Sequence, residues 1–123
     1  MRLFLIAGES SGDALGAALM AGLRALLPQV AFEGIGGPLM AAQGLASRFP
    51  MDELSIMGLA EVLPKYRALK RRIRETAEAI AASGPDAVIT IDSPDFCLRV
   101  LALARAANPG LRTIHYVAPS VWA

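Results

Sequence analysis

Two hydrophobic rhythms alternate along the chain. Short segments rich in strand formers, at residues 3–7, 30–35, 87–91 and 112–117, are separated by longer ones in which apolar residues recur every three or four positions. Residues 3–7 are continuously apolar, which suits a central parallel strand buried on both faces. The pattern predicts a helix over residues 14–27 that ends before Pro28, and Gly12, Gly16 and Gly22 predict that it lies close on the sheet. A second helix starts near Leu59 and is marked by Leu63, Tyr66, Leu69, Ile73, Ala77 and Ile80. Pro64 sits near its start, and Ser83-Gly84-Pro85 ends it. A third runs over residues 94–107. Residues 39–43 read as a short helix ended by Gly44, and residues 45–56 as a short edge strand and loop.

Strands that alternate with helices imply βαβ units with right-handed crossovers. The expected fold is therefore α/β, a Rossmann-like parallel sheet with helices on both faces. No repeat, linker or low-complexity stretch interrupts it, so residues 1–123 read as one domain or part of one. The last residues, Val117 to Ala123, leave a strand with no closing helix, which predicts the front part of a longer protein.

Composition narrows the classes. The chain has 123 residues, 54% of them apolar, above the ~45–50% of ordinary globular domains, which argues against disorder. A net charge of +1 gives no global case for nucleic acid. The single cysteine, Cys97, excludes an internal disulfide, offers no metal-ligand spacing and reads as a small buried apolar side chain. No window approaches the ~18 apolar residues of a membrane span, and the N-terminal run is too short for a signal peptide, so a cytoplasmic protein is expected.

The chemistry-bearing residues cluster at junctions. Val88-Ile89-Thr90-Ile91 runs into Asp92, and Ser93-Pro94 then opens a helix, with serine as the natural N-cap and proline at the first helical position. Open parallel sheets bind ligands at the carboxyl ends of their strands, where an acid could deprotonate an attacking hydroxyl. Asp92 has two readings, such a base or an Asp that orders its own turn. Asp95 is explained as a first-turn acid facing the helix dipole. The turn Gly8-Glu9-Ser10-Ser11-Gly12-Asp13 lacks both the dinucleotide fingerprint and a Walker lysine. Ser10 or Ser11 reads as its N-cap and Asp13 as a dipole-facing acid or a ligand contact. Glu9 has no capping explanation as good and is the better site candidate. Gly36-Gly37 follows a strand and would either admit a ligand or merely permit a turn. The run Lys65, Arg67, Lys70, Arg71, Arg72, Arg74 follows the apolar Ile56-Met57-Gly58-Leu59-Ala60, which fits a solvated helix face or an anionic membrane surface. His115 reads as a hydrogen-bonded strand residue rather than a base.

Several segments together resemble the lipid-A-disaccharide synthase family: Ala7-Gly8-Glu9-Ser10-Ser11-Gly12-Asp13, Gly36-Gly37-Pro38-Leu39-Met40, Met57-Gly58-Leu59-Ala60-Glu61-Val62-Leu63, Ile91-Asp92-Ser93-Pro94-Asp95-Phe96 and the stretch from Ile114 to Ala123. Their order and spacing cover the whole chain. The resemblance implies the N-terminal, acceptor-side domain of a GT-B glycosyltransferase roughly three times this long, with a C-terminal UDP-binding domain not included here. It implies transfer of 2,3-diacylglucosamine from UDP-2,3-diacylglucosamine to 2,3-diacylglucosamine 1-phosphate, giving the β-1,6 disaccharide of lipid A and UDP. No cofactor or metal is implied. The family's acid maps onto Asp92 as the catalytic residue, with Glu9, Ser11, Gly37 and Asp95 as substrate-binding residues. The acylated substrates strengthen the membrane reading of Ile56, Met57, Leu59, Lys65, Lys70 and Arg71, at the cytoplasmic face of the inner membrane. Alone, this segment is expected to be inactive and able to self-associate through exposed apolar surface. The alternatives are a membrane- or lipid-binding module without catalysis, and a related GT-B UDP-sugar epimerase.

Overall fold

A computed structural model describes residues 1–55 and 63–116. In chain order the elements are β1 (Arg2–Ala7), α1 (Ser10–Leu26), β2 (Ala31–Ile35), α2 (Pro38–Ala42), α3 (Asp52–Ser55), α4 (Leu63–Ser83), β3 (Ala87–Ile91), α5 (Pro94–Ala107) and β4 (Thr113–Tyr116). The strands form one four-stranded parallel sheet in the order β2-β1-β3-β4. This is the Rossmann-like α/β arrangement that the alternation of elements predicts. Right-handed crossovers put α1 on one face and α4 and α5 on the other. Accordingly α4 packs on α5, and α1 carries α2.

The core follows from the two central strands. Leu3 to Ala7 and all of β3 are buried, and Phe4, Leu5, Ile6, Val88 and Ile91 lose all solvent contact. Apolar runs without polar alternation leave no face that could stay wet, so helices must cover both sides. Thr90 is the polar member of β3, and its Oγ1 lies 2.7 Å from Nδ1 of half-buried His115 across the β3–β4 register. His115 is thus hydrogen-bonded as expected, but half-buried on β4 rather than in the core.

Three local expectations need correction. First, α1 begins at Ser10 with Glu9 in the N-cap position, earlier than the apolar periodicity predicts, and no serine hydroxyl caps it. Second, residues 45–55 hold an isolated bridge between Gly34 and Ser47 and the helical turn α3, rather than an edge strand. Third, Gly12 and Gly16 are buried against Asp92, Met40 and Ile91, but Gly22 is exposed with open space around it. Close packing on the sheet therefore explains two of these glycines and not the third.

Gly22→Ala should raise unfolding stability by ~0.5–1 kcal/mol, the ordinary gain in helix propensity at an unobstructed site. Gly34→Ala should cost about 3 kcal/mol or more, because Gly34 has φ +136° and a Cβ there would fall 1.9 Å from the Leu5 carbonyl oxygen. Urea midpoints of the two variants check both signs.

Candidate functional site

The strand order places a topological switch between β1 and β3. The chain leaves β1 toward β2 on one side and leaves β3 toward β4 on the other, so the two turns diverge and open a crevice at the carboxyl ends of the strands. Ala7 and Ile91 are paired in register, which puts the Gly8-Glu9 turn beside the Asp92-Ser93 turn. The two turns touch. A Cβ on Gly8 would meet Ser93 Oγ at 2.1 Å, Ser93 Cβ at 2.8 Å and Leu54 Cβ at 3.3 Å.

Asp92 sits at this rim, partly exposed, with φ +55°. Ser93 follows at φ 42° and ψ 55°. Two successive left-handed residues without glycine store backbone strain on the order of 1–3 kcal/mol each, a feature that concentrates at functional sites. Ser93 does occupy the N-cap position of α5, with Pro94 behind it, but its side chain makes no capping bond. Side-chain capping needs extended backbone at the cap, which this residue lacks.

The Asp92 carboxylate is not folded back on its own turn. Ser11 Oγ donates to Asp92 Oδ2 at 2.9 Å, and no other described residue donates to this carboxylate. The same oxygen lies 3.1 Å from where a Gly12 Cβ would be, over the first turn of α1. Glycine there lets the acid rest on the end of α1 that carries partial positive charge. Cys97 is buried beneath the site. Burial, and then the Asp92 charge, push its thiol up to about 12, so it stays protonated and inert at neutral pH.

The remaining candidates divide. Glu9 is exposed at the same rim, and no described residue donates to its carboxylate. Asp95 is exposed and pairs with Arg99 one turn along at 3.3 Å. The Gly37 amide is already engaged, donating to Asp13 Oδ1 at 2.9 Å. Ile56, Met57 and Leu59 lie outside the described residues, as does the side chain of Lys65. Lys70 and Arg71 are exposed on α4, with the Lys70 ammonium 5.3 Å from the Tyr66 ring centroid.

Two residues have roles that the sequence pattern does not show. Asp13 is buried and accepts from the backbone amides of Gly37, Leu39 and Met40, each at 2.9 Å, which caps α2 from across the fold. Arg72 does not belong to the free basic face. Its Nε and Nη2 bind both Glu53 oxygens at 2.9 and 3.0 Å, Nη1 reaches Glu75 at 3.1 Å, and its guanidinium stacks 4.5 Å over Phe49. The Glu53 hydrogen bonds hold Arg72 still more firmly protonated than usual. Phe49 in turn meets Phe96 of α5 edge-on at 6.5 Å. Arg72 thereby ties α4 to α3, whose Leu54 borders Gly8 at the rim.

Comparison with known proteins shows what the sequence is similar to. The family model described as lipid-A-disaccharide synthetase matches residues 3–123. A lipid-A-disaccharide synthase of Ruegeria pomeroyi is 68% identical over 123 residues, which is 100% of this chain and 30% of that protein. Synthases of Rhodospirillum centenum and Pseudomonas fluorescens are 54% and 52% identical, over 98% and 100% of the chain and 30% and 32% of their own lengths. The chain thus spans about 30% of the length of these relatives.

Asp13→Ala should destabilise the chain by ~3–5 kcal/mol, since it strands three amides that now share one buried charged acceptor. Denaturant titration measures it, and a loss under 1 kcal/mol would contradict the capping role.

Proposed function

The chain belongs to the lipid-A-disaccharide synthetase family, and from that premise we propose that it forms the acceptor side of an inverting glycosyltransferase. The reaction proposed joins UDP-2,3-diacylglucosamine to 2,3-diacylglucosamine 1-phosphate, with the UDP-binding domain supplied by sequence beyond this segment. The observation that carries the reading is the Asp92 carboxylate, held at the switch-point rim by one hydrogen bond from Ser11.

An α-linked donor that yields a β product inverts the anomeric carbon in one in-line displacement. Asp92 takes the proton from the acceptor's 6-hydroxyl while that oxygen bonds the anomeric carbon. The bond to UDP breaks, and its electron pair leaves on the diphosphate, whose stabilisation falls to the rest of the protein. Glu9 borders the same rim and orients the acceptor sugar, with Ser11 beside it donating to Asp92. Gly37 and Asp95 carry less of the argument, since each already has a partner within the fold. Without the second domain the segment alone lacks half the cleft and should not turn over.

Acylated sugars must come from a bilayer, so the reading includes docking on the anionic cytoplasmic face of the inner membrane. No described helix is long and apolar enough to cross a membrane, which is compatible with peripheral association. The exposed cations of α4, Arg67, Lys70, Arg71 and Arg74, support it. So does the chain order, in which Ile56, Met57 and Leu59 come shortly after α3, whose Leu54 borders the rim.

In a chimera where this chain replaces the matching N-terminal part of the Ruegeria pomeroyi relative, Asp92→Asn should cut turnover by about 10²–10⁴. Activity retained within a few-fold would reject Asp92 as the base. Reversing Lys70 and Arg71 to Glu should weaken partition onto phosphatidylglycerol vesicles at least ~30-fold, at ~1 kcal/mol per cation removed, and leave neutral vesicles unaffected. Unchanged sedimentation with anionic vesicles would reject electrostatic docking.

A further inference from the structure

We propose that Ser11 is a positioning residue for the proton-accepting carboxylate, an inference that rests on Asp92 being the base. A partly exposed aspartate at a rim has two soft torsions, and rotation about the second exchanges its oxygens. The left-handed backbone at Asp92 and Ser93 aims the Cα–Cβ bond but does not fix the carboxylate plane. Among the described residues that plane is fixed by one donor, the Ser11 hydroxyl at 2.9 Å from Oδ2. The donor itself stands on the first turn of α1, a helix held down by the buried Asp13 two residues further on.

Two consequences follow from the chemistry of a hydroxyl, which has one proton to give. With that proton committed to Oδ2, Oδ1 is left as the oxygen that receives the acceptor's proton. Toward the sugar, Ser11 can then only accept. The hydroxyl thus presets the attack geometry before substrate arrives, and its contribution falls on turnover rather than on acceptor affinity.

The test uses the same full-length chimera, with kcat and acceptor KM measured separately. Ser11→Ala should lower kcat about tenfold or more and move acceptor KM less than about threefold, and Ser11→Thr, which keeps the hydroxyl, should recover kcat to within about threefold of the parent. In the Asp92→Asn background, Ser11→Ala should cause no further loss, because the base it positions is gone. A rise in acceptor KM with kcat intact would make Ser11 a sugar contact and overturn the proposal, as would a loss fully additive with Asp92→Asn. The base reading fails separately, through an active Asp92→Asn enzyme, so the two failures are distinguishable.

Discussion

The hydrogen-bonded ladder between β1 and β3 is the constraint on which the site depends. Leu3 to Ala7 and all of β3 are buried, so neither strand can become an edge without exposing what it must bury. Their parallel register ends both at the same level, Ala7 against Ile91. From there the chain must part in opposite directions, because β2 and β4 lie on opposite sides of the pair. The rim that carries Glu9, Ser11 and Asp92 is the geometric result of that parting. Its chemistry is added by turn residues, and its location is set by hydrophobic burial.

Charge then fixes what burial leaves loose. The short helix α2 is gripped at both ends by α1. Asp13 accepts from its N-terminal amides, while Arg24 donates to the Gln43 carbonyl and side chain at its other end and stacks over Phe32 at 5.3 Å. Each charge has the sign that its end of the helix needs. A five-residue helix has little cooperative stability of its own, so this external grip explains why one persists here. On the opposite face Arg72 does comparable work, joining Glu53, Glu75 and Phe49 in a single cluster. Both clamps converge on the segments that flank the rim.

Much of this was readable from the chain, for identifiable reasons. β3 and α5 have the bounds that apolar runs and Ser93-Pro94 indicate, because both signals are local. The junction that carries Asp92 was legible for the same reason. What escaped was non-local. Asp13 looks like a first-turn acid of its own helix, yet its partners lie 24 to 27 positions away. Arg72 looks like one more cation on a basic face, yet its partner Glu53 is 19 positions earlier. Ser11 resembles a cap because serine caps are common, whereas its hydroxyl crosses to another strand's turn 81 positions on. No periodicity encodes such pairings, since each depends on which turns the sheet brings together.

Among the described residues, one side of the sheet is left open. Leu3, Leu19, Leu23, Ile89, Ile114 and Tyr116 line an apolar groove of about 900 Å³ between α1 and β4, away from the rim. In relatives of which this segment is about 30%, ribosomes deliver it first. An oily trough on the part of the chain made first would meet water early in translation. Holdase chaperones act on such surfaces, and folding that starts from one should be sensitive to the pace of elongation.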